Sequence, residues 1–123
     1  MTSRNLNHRN QSDDFGETIT NLAVRGYFYE LLEILTNLGE DVEISASPVD
    51  IRVEYSGNTI CRLVPYRELI HLHVGHKPVW EVRVRDESGY LEAIDRILDV
   101  FLNLVATRGA DDSKHSRITV ANR

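Results

Sequence analysis

Between Val42 and Arg85 the chain alternates apolar and polar residues in five short runs: Val42 to Ser45, Ile51 to Tyr55, Ile60 to Val64, Leu69 to Val74 and Val79 to Arg85. Period-two alternation puts successive side chains on opposite faces of a strand, so each run is a half-buried strand. The connections carry turn residues, namely Pro48, the Ser56, Gly57, Asn58 cluster, the Pro65 to Glu68 stretch and the Gly75 to Pro78 stretch. A parallel crossover needs a dozen or more residues, and these connections are far shorter, so neighbouring strands must run antiparallel. The expectation is a meander sheet of four to five strands.

Alternation sends Val42, Ile44, Ile51, Val53, Tyr55, Ile70, Leu72, Val74, Trp80, Val82 and Val84 to one face. The third run leaves two registers open. A three-residue loop turns Cys61 and Leu63 inward and Arg62 outward; a two-residue turn at Gly57 and Asn58 turns Ile60, Val64 and Arg62 inward. The first avoids burying a charge.

Two amphipathic segments flank the strands. From Glu17 to Leu38 the residues Ile19, Leu22, Phe28, Leu31, Leu32, Leu35 and Leu38 recur at helical spacing, with Ser12, Asp13 or Asp14 as N-cap and Gly39 as a left-handed stop. Gly26 inside this helix marks either a close approach or a soft point. After Ser88, read as an N-cap, a second helix runs to about Thr107, ahead of Gly109. Its stripe is Leu91, Ile94, Leu98, Phe101 and Val105, flanked by Tyr90, Ile97 and Leu102. The fold class is therefore α+β, a two-layer domain with N- and C-terminal helices on one face of the sheet. A chain of 123 residues holds one core of this kind. The single domain spans residues 14–109, with polar, disordered tails over 1–13 and 110–123.

The apolar segments near Tyr27 to Leu38 and Ile97 to Val105 are interrupted by Glu30, Glu33, Asp99 and Asn103, so neither provides a membrane span. The N-terminal segment has no apolar core of a secretory signal, and the lone Cys61 makes no intramolecular disulfide; both fit a cytoplasmic protein. The net charge of −5 conceals an asymmetry. Residues 13–40 carry six acids against Arg25, and residues 86–108 carry five against Arg96 and Arg108. Residues 51–85 hold Arg52, Arg62, Arg67, Lys77, Arg83 and Arg85 against Glu54, Glu68 and Glu81, a balance of +3. An acidic helical layer over a basic sheet follows.

The sheet face away from the helices is expected to display Glu43, Arg52, Glu54, Arg62, Leu69, His71, His73, Glu81, Arg83 and Arg85. Of these, Arg52, Arg62, His71, His73, Arg83 and Arg85 are the candidate binding residues, because a guanidinium's planar fork suits carboxylates and phosphates. His71 and His73, one residue apart on a strand, project to the same side, and Glu81 lies on the next strand. With His76 they make a candidate metal set of His71, His73, His76 and Glu81. A His–Glu pair there is expected to raise the histidine pKa. The string HLHVGH resembles the HxHxDH signature of metallo-β-lactamase-type hydrolases over six residues, with His71, His73 and His76 at the matching positions. Gly75 stands where that motif has Asp, and the chain is too short for the αββα fold, which sets the family aside.

The sequence contains no Gly-rich phosphate loop, nucleophile elbow, CxxC or HExxH. Asp95 and Asp99, four apart on a helix, fall among other charges on a polar face. The functional expectation is thus a non-enzymatic binding or assembly module with no cofactor. Its Arg/His face would take a protein partner, a second copy of itself or an anionic ligand. The overall acidity disfavours nucleic acid. The alternative is a metal-binding protein or metal-dependent enzyme built on the HLHVGH segment.

Overall fold

The computed structural model describes the backbone of residues 15–120 and the side chains of residues 15–108. The expected tail over residues 1–13 and the expected caps Ser12, Asp13 and Asp14 lie outside the described residues. A helical turn over residues 15–18 leads into helix α1 (Leu22–Thr36). Strands β1 (Val42–Ala46), β2 (Ile51–Tyr55), β3 (Asn58–Pro65), β4 (Ile70–Val74) and β5 (Trp80–Val84) follow, and helix α2 (Glu87–Val120) closes the sequence of elements. The strands pair in the order β1-β2-β3-β4-β5, every neighbour antiparallel, which is the α+β meander that alternation and short turns require. Phe28, Leu31 and Leu35 of α1 and Ala93 and Ile97 of α2 share one core with Ile51, Val53, Leu63, Leu72 and Val84 of the sheet. No helix among the described residues is long and apolar enough to cross a membrane.

The N-terminal helix differs from its expected form. Instead of one helix from Glu17, the chain breaks at residues 19–20. The backbone N–H groups of Thr20 and Asn21 both donate to the Arg67 carbonyl in the β3–β4 turn, at 2.8 and 3.2 Å. Ile19 is fully buried and its carbonyl accepts from Arg25 Nε at 2.9 Å. These long-range bonds draw the backbone away from helical pairing, and the helix restarts at Asn21, whose Oδ1 accepts from Val24 N at 3.1 Å. At the other end Asn37, not Gly39, is the cap; its Nδ2 donates to the Glu33 carbonyl at 2.8 Å. Gly39 is not in the left-handed region, where the described glycines are Gly57 and Gly75. At Gly26 an added Cβ would meet no atom within 4 Å, so it is a soft point and not a close approach.

Helix α2 is capped by Asp86, two residues ahead of the expected Ser88: Asp86 Oδ1 accepts from Gly89 N at 2.9 Å. Its backbone stays helical past the expected end at Thr107, through Gly109 to Val120. The buried face is also rotated. Ala93 and Ile97 are fully buried, with Tyr90, Ile94, Val100, Phe101 and Leu104 packed beside them, while Leu91 and Leu102 are 52% and 61% exposed. Leu98 and Val105 of the expected stripe are exposed too. Small residues explain the choice. A Cβ at Gly89 would collide with the Arg83 carbonyl and sit 3.2 Å from Val84 Cα, and Ala93 lies one turn on. The helix meets the sheet along its Gly89–Ala93 edge because only there can the backbones come this close.

A β-bulge resolves the ambiguity of the third strand. Ser56 and Gly57 have φ values of 50° and 85°, a two-residue turn joining Tyr55 to its partner Asn58. Continued without interruption, that register would turn Arg62 into the core. The pairing shifts by one between Val53 and Glu54, so that Val53 faces Cys61 while Arg62 faces Arg52 on the outer side. Ile60 and Cys61 are both fully buried at the bulge, which swings two consecutive side chains toward one face. Trp80 is on the expected side yet 40% exposed, its ring covered by the Arg96 guanidinium at 4.0 Å from the centroid. Arg108 of α2 reaches the residue ahead of β1 and the β2–β3 turn, donating to Asp41 Oδ2 and Ser56 Oγ, each at 2.8 Å.

Candidate binding face

The outer sheet face carries Arg52, Arg62, His71, His73, Arg83 and Arg85, because each alternates with a buried residue of its own strand. Cross-strand partnership orders the face into rows. Glu43 faces Glu54 in one row; Ser45, Arg52, Arg62, His73 and Glu81 form the next; Val64, His71 and Arg83 form a third. Arg85 lies two residues beyond Arg83 on the same face, just past the end of β5. Two direct like-charge pairs thus occur, Glu43 with Glu54 and Arg52 with Arg62, and such pairs oppose sheet formation.

Asp50 offsets the second pair. It is 1% exposed, just ahead of β2, and its carboxylate accepts from Arg62 Nε and, at 3.5 Å, from Arg52 Nε. The β1–β2 turn holds it in place: Ser47 N donates to the Asp50 carbonyl at 2.8 Å, Asp50 N donates to Ser47 Oγ at 3.1 Å, and that hydroxyl donates to Asp50 Oδ1 at 2.5 Å. Burial pushes the Asp50 pKa up, but the Ser47 hydrogen bond and the Arg62 guanidinium outweigh it, and the carboxyl sits below its ordinary value. Asp50 was not among the candidate residues, although its position two before Arg52 places it on that same face. With it, the face is less basic than residues 51–85 suggest. Arg62 is paired, and the free guanidinium charge concentrates at Arg83 and Arg85 in one corner, diagonally across from Glu43 and Glu54.

His71, His73 and Glu81 come together as the spacing requires. His71 Nε2 and Glu81 Oε1 are 3.0 Å apart, the two imidazole centroids are 4.5 Å apart, and one ligand atom from each of the three residues lies within 4.8 Å of the others. His76 is not part of this group. It is exposed in the β4–β5 loop and lines a cleft of about 450 Å³ on the helical side, with Asn58, Lys77, Trp80, Asp99 and Asn103. The ion pair with Glu81 falls on His71, and at His73 the pKa is lowered. Burial, the neighbouring His71 and the Arg62 guanidinium all lower it, and Glu81 recovers only part of that. Cys61 is a core residue, its thiol pushed up by complete burial, so it has no thiolate to offer.

The fold and face define a two-layer α+β domain with one polar, solvent-facing sheet surface. No protein family, curated protein or solved structure matches the chain.

Proposed function

We propose that the protein is a small assembly module whose polar sheet face binds a second copy of the chain. The observation that carries this reading is the segregation of charge on that face: Glu43 and Glu54 at the β1–β2 corner, Arg83 and Arg85 at the far end of β5. With strands about 4.8 Å apart and rows about 7 Å apart, the corners are separated by on the order of 20 to 30 Å along one diagonal. A two-fold axis laid between two such faces along the other diagonal brings Glu54 of one copy near Arg83 of the other, and Glu43 near Arg85, each contact occurring twice. A self-complementary face of this kind is what an isologous dimer requires. It would also relieve the Glu43–Glu54 repulsion that the isolated sheet carries.

The test is a charge swap read by light scattering. Exposed ion pairs contribute roughly 0.2–1 kcal/mol each. Reversing Arg83 changes two symmetry-related pairs from attraction to repulsion, a swing of about 2 kcal/mol and so about a thirtyfold weaker dimer. Wild type is expected to be dimeric at low salt and to dissociate as salt rises; Arg83→Glu is expected to be monomeric, and Glu54→Arg combined with Arg83→Glu to recover the dimer. A wild type that is monomeric in every condition, or a double variant no better than the single, would sink this reading.

A further inference from the structure

We infer that His71, His73 and Glu81 form a binding site for a divalent transition metal of the zinc, cobalt or nickel type. The site shares the sheet face of the proposed dimer but does not depend on it, because it rests on which side chains the sheet itself brings together. His71 and His73 are two residues apart on β4, and Glu81 is the direct cross-strand partner of His73 on β5. Three adjacent backbone positions of a hydrogen-bonded sheet are therefore held in fixed relation before any ligand arrives. One donor atom from each residue already lies within 4.8 Å of the other two. Bonds of about 2.0–2.1 Å in a tetrahedral site place donors about 3.3 Å apart, so closing the set needs roughly 1.5 Å of movement. Glu81, whose side chain is largely exposed, can supply that by rotation, giving up its hydrogen bond to His71 for a metal bond.

The donor set decides the class of ion. Two imidazoles and one carboxylate suit borderline metals, whereas calcium and magnesium prefer all-oxygen shells. Three protein ligands on an open surface leave at least one position for water or for a donor from another molecule. The neighbouring cations are arranged to make this tolerable. Arg62, opposite His73, is ion-paired with Asp50 on the β2 side, which offsets part of its charge. Arg83, opposite His71, is exposed, and Arg62 and Arg83 together are the positive charges that limit affinity.

Cobalt(II) alone, titrated into the chelator-stripped full chain and followed by visible absorption and calorimetry, tests the site. One cobalt per chain is expected. Substituting a residue that merely orients a metal ligand costs about 10–100-fold in affinity, so His71→Ala and His73→Ala should each cost at least that much. His76→Ala should bind as wild type does, and circular dichroism confirms that each variant is folded. In case a variant fails to fold, the wild type supplies its own readout: zinc should shift the imidazole nitrogen resonances of His71 and His73 and leave those of His76 in place. No binding up to about 1 mM metal, or affinity unchanged in both alanine variants, overturns the proposal, as would a zinc titration in which the His71 and His73 signals do not move. Stoichiometry and spectra are read per chain, so their failure is distinct from failure of the dimer.

Discussion

Replacing Asp50 with alanine removes a carboxylate that is 1% exposed, the one buried charged group in the described core. Three hydrogen bonds go with it: from Ser47 Oγ, from Arg62 Nε and, more weakly at 3.5 Å, from Arg52 Nε. Hydrogen bonds to a charged group contribute about 1.5–3 kcal/mol when well formed. The Arg62 side chain is 41% exposed, so water screens that pair and can rehydrate the guanidinium once the acid is gone; its share is discounted accordingly. Ser47 keeps its backbone partners, accepting from Asp50 N and Val49 N. A destabilisation of about 2 kcal/mol is the expected sum. With a urea slope of about 1.5 kcal/mol/M, the denaturation midpoint should fall by about 1.3 M. The difference should also depend on pH with a defined sign. The folded state holds the Asp50 pKa below its ordinary 3.8, so the stabilisation is present above that value and fades as pH falls through the lower folded value. The gap between wild type and Asp50→Ala should be constant from neutral pH to about 5 and narrow below 3.8. A gap under about 0.5 kcal/mol at pH 7, or one that does not narrow in acid, would refute the argument that this carboxylate anchors the face.

Two glycines should respond in opposite directions. Gly26→Ala, in open space inside α1, should raise stability by about 1 kcal/mol in urea titrations. Gly89→Ala, whose Cβ would strike the Arg83 carbonyl, should lower it by about 1–3 kcal/mol. In a proton NMR titration, His73 should show a midpoint below the ordinary 6.5, and Glu81→Gln should move it lower still by removing the one neighbouring charge that favours the imidazolium. Because that folded value is depressed, the associated stability is complete above 6.5 and is lost as pH falls below 6.5 and through the lower folded value.

How much of the face was legible follows from the range of each signal. Alternation with period two is local, so the placement of Arg52, His71, His73, Glu81, Arg83 and Arg85 on one side could be read directly, as could the antiparallel order imposed by short turns. Arg62 was legible only as a choice between two registers. The bulge at Ile60 and Cys61 made that choice, through a shift in pairing that no local pattern encodes. Asp50 sits at a turn, where alternation carries no signal, and its importance appears only when β3 brings Arg62 alongside. His76 continues the HLHVGH string, but Gly75, with φ of 88°, ends the strand and turns the chain toward the helical side.

The helices show the same division. Apolar spacing determined that two amphipathic segments cover the sheet, yet in α2 the apolar residues form two overlapping stripes, and spacing cannot rank them. Packing chose the Gly89, Ala93, Ile97 side, because a backbone can approach β5 closely only where side chains are small. Likewise the pattern from Glu17 onward is helical by itself, and only the Arg67 carbonyl, far away in sequence, accounts for the break at residues 19–20. Sequence alone determined the elements, their antiparallel order and the polarity of each sheet face, since these depend on neighbours along the chain. Register, helix rotation and the grouping of Asp50 with Arg62 were decided by the tertiary structure, since they depend on which distant groups compete for the same space and the same hydrogen bonds.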